Sequence, residues 1–226
     1  MATPEQILAL EQAILDQADA YAREFAILWR EFLVQWSQLD TPTDRVMVFG
    51  LLANLRELLA EAIDATDTIS QTWIELNGGA TGLETIVSEY KSQMYLVNSI
   101  AMEEETNSLL TLLILGGVAL AGSTLLEQRS NTAIIDRIKN TFDQSILGLT
   151  SSITKTIGSQ DPNTRYTYVG GIIPTTRSFC ATHSGKTYTL KEIERIWSGD
   201  WQGKREGDPL VTRGGWNCRH LWIKET

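Results

Sequence analysis

The sequence predicts a mainly α-helical protein, a long-helix bundle or a stack of helical hairpins, followed by a small α+β C-terminal domain. Three observations predict it. Apolar residues recur at steps of three and four through most of residues 1–158. Capping residues and glycine stops divide that pattern at intervals suited to long helices. From residue 159 glycines become frequent, the charge changes sign, and every cysteine and histidine of the chain appears. We therefore expect a helical domain over 1–158 and a small domain over 159–226, joined at the polar run Gly158-Ser-Gln-Asp-Pro-Asn-Thr164.

The first helix is signalled by Thr3-Pro4-Glu5-Gln6, a capping box with proline at the first helical position, where its missing N–H costs nothing. Its apolar stripe runs through Ile7, Leu10, Ile14, Ala18, Tyr21, Phe25, Leu28, Phe32, Trp36 and Leu39. From Pro4 to Leu39 such a helix spans roughly 50 Å. Asp40-Thr-Pro-Thr43 ends it and caps the next. Val46, Phe49, Leu52, Leu55, Leu59, Ile63, Ile69 and Trp73 predict one second helix, stopped by Asn77-Gly78-Gly79. Thr81-Gly-Leu-Glu84 is another capping box, opening a helix through Ile86, Tyr90, Met94, Leu96 and Ile100. Beyond Asn131, Ile134, Ile138, Phe142, Ile146 and Leu149 predict a further one.

Residues 108–126, SLLTLLILGGVALAGSTLL, carry no charge and sit at the lower length limit of a membrane span. Their small-residue GGVALAG core suits close helix packing. Two readings stay open: a helix buried in a bundle or subunit contact, or a membrane-active segment. No second span accompanies it, and its flanks, Glu103-Glu104-Glu105 and Glu127 with Arg129, lack a positive-inside bias.

Composition excludes several classes. With 42% hydrophobic residues among 226, the chain is neither disordered nor coreless, and two cysteines with five prolines exclude a disulfide scaffold or a proline-rich linker. A net charge of −9 argues against coating duplex DNA. Residues 1–160 hold nine Lys/Arg against 21 Asp/Glu, a net of −12; residues 161–226 hold ten against seven, a net of +3. An acidic body with a slightly basic tail suggests two modules with different partners. The polar, acidic opening MATPEQ predicts no secretory signal.

The tail holds the metal chemistry. Its ligand-type residues are Cys180-Ala-Thr-His183 and Cys218-Arg-His220. A three-residue step closes on one helical turn, and a two-residue step shares one face of a strand. Gly185 and Gly214-Gly215 supply bends beside each pair. A structural zinc held by Cys180, His183, Cys218 and His220 is the expectation. The alternatives are ordinary buried thiols and histidines, or a Cys180–Cys218 disulfide. Four protein ligands leave no open metal position, and with both histidines ligating no base remains for hydrolysis. His-Glu-x-x-His, Gly-x-Ser-x-Gly and Walker patterns are absent, so no enzyme is expected.

Read together, Tyr166-Thr-Tyr-Val-Gly170, Thr176-Arg177-Ser-Phe-Cys180, Gly185-Lys186 and Gly214-Gly215-Trp216-Asn217-Cys218-Arg219-His220 resemble the C-terminal domain of the phage Mu F-like minor head (head morphogenesis) proteins of tailed bacteriophages. The resemblance covers about the last sixty residues and rests on Arg177, Cys180, His183, Gly185, Asn217, Cys218, Arg219 and His220. Gly214-Gly215-Trp216 stands where the family often has His-Pro, and histidines replace the second cysteine of each pair. The resemblance implies a non-enzymatic virion protein made in the host bacterial cytoplasm. It would be a minor head or head-to-tail component near the portal, with portal, head or neck proteins as partners. The helical body would oligomerise through its apolar seams and the tail would dock, with DNA contact through the tail alone. Candidate interface residues are Arg177, Trp197, Trp201, Lys204, Arg205, Arg213 and Trp216. Two other functions are carried as alternatives: an internal protein ejected with the DNA that inserts 108–126 into the host membrane, and a metal-dependent nuclease.

Overall fold

A computed structural model describes residues 3–36, 45–79, 82–116, 124–161 and 163–225. The chain is mainly helical, with a small three-stranded antiparallel sheet in its C-terminal segment. The long helices are α1 (Pro4–Trp36), α2 (Arg45–Asp64), α3 (Asp67–Leu76), α4 (Glu84–Gly116) and α5 (Thr124–Gly158). Then come β1 (Arg165–Val169), α6 (Ser178–His183), β2 (Thr187–Thr189), α7 (Leu190–Trp197), α8 (Pro209–Thr212) and β3 (Leu221–Lys224). Leu39, the Asp40–Thr43 stop, Thr81 and residues 117–123 lie outside the described residues, as do the side chains of 112–126. Among the described residues, no helix is long and apolar enough to cross a membrane.

The first capping box forms as expected: Thr3 N–H donates to Gln6 Oε1 at 2.8 Å, and Gln6 N–H to Thr3 Oγ1 at 3.3 Å. The single second helix expected through Trp73 is instead two. At Thr66, N–H and Oγ1 both donate to the Ile63 carbonyl, at 3.0 and 2.6 Å. That tightened turn ends α2, and Asp67 opens α3 with a carboxylate near its N-terminus. Three apolar assignments also move. Phe49 is 67% exposed while Leu51 is buried, and on α4 Leu96 and Ile100 are exposed while Met94, Asn98 and Met102 face inward.

The chain forms two compact units. One comprises Met1–Ile14, Asp67–Lys91 and Gln144–Thr226; the other comprises Leu15–Thr66 and Ser92–Asp143. Helices α1, α4 and α5 contribute residues to both. Apart from the turn at Ala65 and Thr66, the second unit is helical in its described residues, with Ala18, Tyr21, Phe25, Trp29, Leu55, Leu59, Met102 and Phe142 in its core. The boundary expected at 158/159 does not part the units, because the tail is tied to helices far back in the chain. Lys224 N–H donates to Asn77 Oδ1 at 3.0 Å, and Arg213 donates to Gln144 Oε1 at 2.9 Å. Lys155 pairs with Asp208 at 2.9 Å. Trp73 Nε1 donates to Thr154 Oγ1 at 2.9 Å beneath the same unit's helices.

The sheet order is β2-β1-β3, both pairings antiparallel. Alternation along β1 turns Tyr166 and Tyr168 inward, each almost fully buried. They join Phe179, Cys180, Ile193, Trp197, Leu210, Cys218 and Trp222 in one core.

Candidate metal centre

Four local features bring the chemistry together. The middle strand β1 aims Tyr168 into the core. Helix α6 places Phe179 and Cys180 on its buried side. Asp208 caps the start of α8, its carboxylate accepting from Leu210 and Val211 N–H, and the turn after α8 holds Arg213 and Asn217 at φ +58° and +53°. After that turn the chain alternates into β3, burying Cys218, exposing Arg219 and burying His220.

Cys180, Cys218 and His220 lie with their ligand atoms within 4.8 Å of one another, all three buried, and could hold a metal ion. Both cysteines are free thiols, their sulfurs 3.7 Å apart. A disulfide requires about 2.05 Å, so the expected alternative of a Cys180–Cys218 bridge is not what this structure holds. Two thiolates on a tetrahedral zinc stand about 3.8 Å apart, given Zn–S bonds of about 2.3 Å. The Nε2 atom of His220 is buried and makes no hydrogen bond of normal geometry, as expected of a nitrogen whose partner is an ion.

The electrostatics prepare one thiolate. Cys218 is held well below the ordinary thiol range, first by the Cys180 hydrogen bond, then by His220 and Tyr168 and by the Arg213 charge. Cys180 is pushed up, chiefly as the donor to Cys218, and further by burial. Thiolate is the form that binds metal.

His183 does not join the cluster. Its Nδ1 pairs with the Tyr188 hydroxyl at 2.8 Å, and its ring packs on Phe179 at 4.7 Å. Burial, then Lys186, hold its pKa below the usual imidazole value. The helical three-residue step from Cys180 is real, but the ring turns toward β2 and away from the sulfurs.

Glycines make the approach possible. A β-carbon on Gly214 would stand 2.5 Å from the Cys180 sulfur and 2.7 Å from both the Cys218 sulfur and the Tyr168 hydroxyl. One on Gly170 would press on the His220 ring at 2.5–2.6 Å. The sequence marks Gly214 as a bend; its role as an open wall of the cluster needs the fold. For Tyr168 the signal in the sequence is the Tyr-Thr-Tyr alternation, which does not by itself point to the sulfurs.

The expected interface residues divide. Trp216 is 57% exposed, with the Arg205 guanidinium 4.8 Å over its ring. Lys204 Nζ sits 5.1 Å from the Trp201 ring and donates to the Gly199 carbonyl. Arg177 donates to the Trp216 carbonyl, bracing the turn before Cys218. Trp201 is half-buried, stacked on Phe179 at 4.1 Å. Trp197 and Arg213 are corrections: both are buried. Trp197 packs edge-on against Phe179, and Arg213 is drawn inward by Gln144, Ser151 and the Val211 carbonyl. Neither presents a surface to a partner.

No family model, no curated protein and no solved structure matches this chain.

Proposed function

We propose that this protein is a non-enzymatic structural component of a tailed-phage virion, a minor head or head-to-tail protein near the portal. The observation that supports the reading most is convergence. Arg177, Cys180, Cys218 and His220, which carry the resemblance to the Mu F-like domain, meet around one turn although 43 positions separate the first from the last. The metal would be zinc, for which two thiolates and an imidazole are a suitable donor set, and its role would be to staple the tail.

The rest follows from surfaces. Trp216, Arg205 and Lys204 form an aromatic and cationic rim through which the tail would dock on a portal, head or neck protein or touch DNA. The helices keep Ile27 and Val34, seven apart on α1, and Leu96, Val97 and Ile100 on α4 exposed to solvent. Those residues would serve as oligomer seams.

Quantitative mass spectrometry of purified virions, before and after DNA release, tests the proposal. A fixed, portal-like copy number retained after release is the expected result. Loss with the DNA would point to an ejected protein, and absence from particles would overturn the structural reading.

A further inference from the structure

The zinc reading leaves one coordination position without a donor. Three ligands converge, whereas a structural zinc takes four, and His183 is engaged by Tyr188. We propose that the Tyr168 hydroxyl is the fourth ligand, so that the centre is a closed site of Cys180, Cys218, His220 and Tyr168. This inference rests on the metal reading above and sharpens it.

Geometry carries it. Tyr168 Oη stands 3.4 Å from the Cys180 sulfur and 3.3 Å from the Cys218 sulfur, which are themselves 3.7 Å apart. With Zn–S of about 2.3 Å and Zn–O of about 2.0 Å, a tetrahedron sets S···S at about 3.8 Å and S···O at about 3.5 Å. Three edges of the expected ligand tetrahedron are thus already in place before any ion enters.

Confinement points the same way. Tyr168 is fully buried, its ring stacked on His220 at 5.2 Å and 19° and packed on Trp222 at 4.4 Å. The phenol and imidazole are therefore held nearly parallel beside the same pair of sulfurs. The open wall at Gly214 adjoins both sulfurs and this oxygen together, and His220 Nε2 is buried without a hydrogen bond of normal geometry.

The ion itself has to drive off the phenol proton, because burial and the two neighbouring sulfurs hold the Tyr168 hydroxyl far above its ordinary value. Two thiolates and a phenolate exceed the charge of a divalent ion by one. Arg213 lends its charge to Cys218 and Arg177 lends its charge to Cys180, so cations are available to offset that surplus. On binding, the phenol proton leaves to solvent with the remaining thiol proton, and the oxygen takes the ion in its place.

The test uses the full chain, zinc and cobalt(II), in wild type and Tyr168→Phe. Zinc added to wild type should produce the ultraviolet difference band of an ionised phenol, and Tyr168→Phe should abolish it. The variant should bind zinc at least ~10-fold more weakly, a loss of the size already seen for outer-sphere partners. Its cobalt(II) visible spectrum should change as water takes the vacated position. Wild type that binds zinc without a phenolate band would overturn the Tyr168 assignment while leaving the metal centre intact, whether or not the variant folds. Weaker binding by the variant, with no phenolate band in wild type, would likewise reduce Tyr168 to a hydrogen-bond donor. Wild type that binds neither ion would overturn the metal reading itself.

Discussion

The helical unit, Leu15–Thr66 with Ser92–Asp143, and the segment from β1 to β3 are held together by different kinds of information. In the helical unit the core is a repeated stripe. Ala18, Tyr21, Phe25, Trp29 and Phe32 bury one side of α1, and Ile134, Ile138 and Phe142 do so on α5. Ion pairs in it such as Arg56–Glu103 and Arg137–Glu104 are largely exposed and contribute little. In the tail almost every core position is an individual: stacked rings, two sulfurs, one unbonded imidazole nitrogen and a glycine that cannot carry a β-carbon. A pattern tolerates conservative exchange at many positions. A set of individuals does not.

The sharpest way to separate the two regions is to remove the metal. A chelator, or either Cys180→Ser or Cys218→Ser, should reduce bound zinc from one per chain to none and open the tail to protease. The far-ultraviolet helix signal should persist. Simultaneous loss of helicity would mean that the helical core depends on the tail. Next in size is Phe142→Ala, which empties a fully buried position beside Tyr21 in the helical unit. It should cost about 3–5 kcal/mol in chemical denaturation while leaving zinc content unchanged.

Gly214→Ala adds a single methyl group, yet it should destabilise the protein by about 1–3 kcal/mol through overpacking and also weaken zinc binding. A variant that binds zinc normally would show that the turn can shift without disturbing the sulfurs. The smallest effect expected is that of His183→Ala. It removes one partly buried hydrogen bond to Tyr188, worth about 1 kcal/mol, and should leave the zinc stoichiometry at one. Loss of the metal in that variant would restore His183 to the ligand set.

The same contrast explains what could be read before folding. Periodicity located α1 and the inward side of α5, because a helix repeats its burial every three or four residues. It erred by one step at Leu28, where Trp29 takes the buried position, and by two at Phe49, where Leu51 does. It passed over the break at Thr66, since apolar residues resume beyond it and a side chain bonding its own backbone leaves no periodic trace. In the tail, the residue types announced metal chemistry, but their spacing could not choose between His183 and His220. That choice is made by Tyr188 and Gly170, each contributed by another element. Arg213 read as a surface cation because its acceptors Gln144 and Ser151 lie 69 and 62 positions away.

The bond between Asn77 and Lys224 spans 147 positions, and β1 pairs with β3 across more than fifty. Helices form from neighbours along the chain in about a microsecond, whereas closing such long loops is slow. We expect the helices to form first and the unit built from three separated stretches to close after them. A metal ion held by Cys180, Cys218 and His220 would have to reach residues that the folded chain buries.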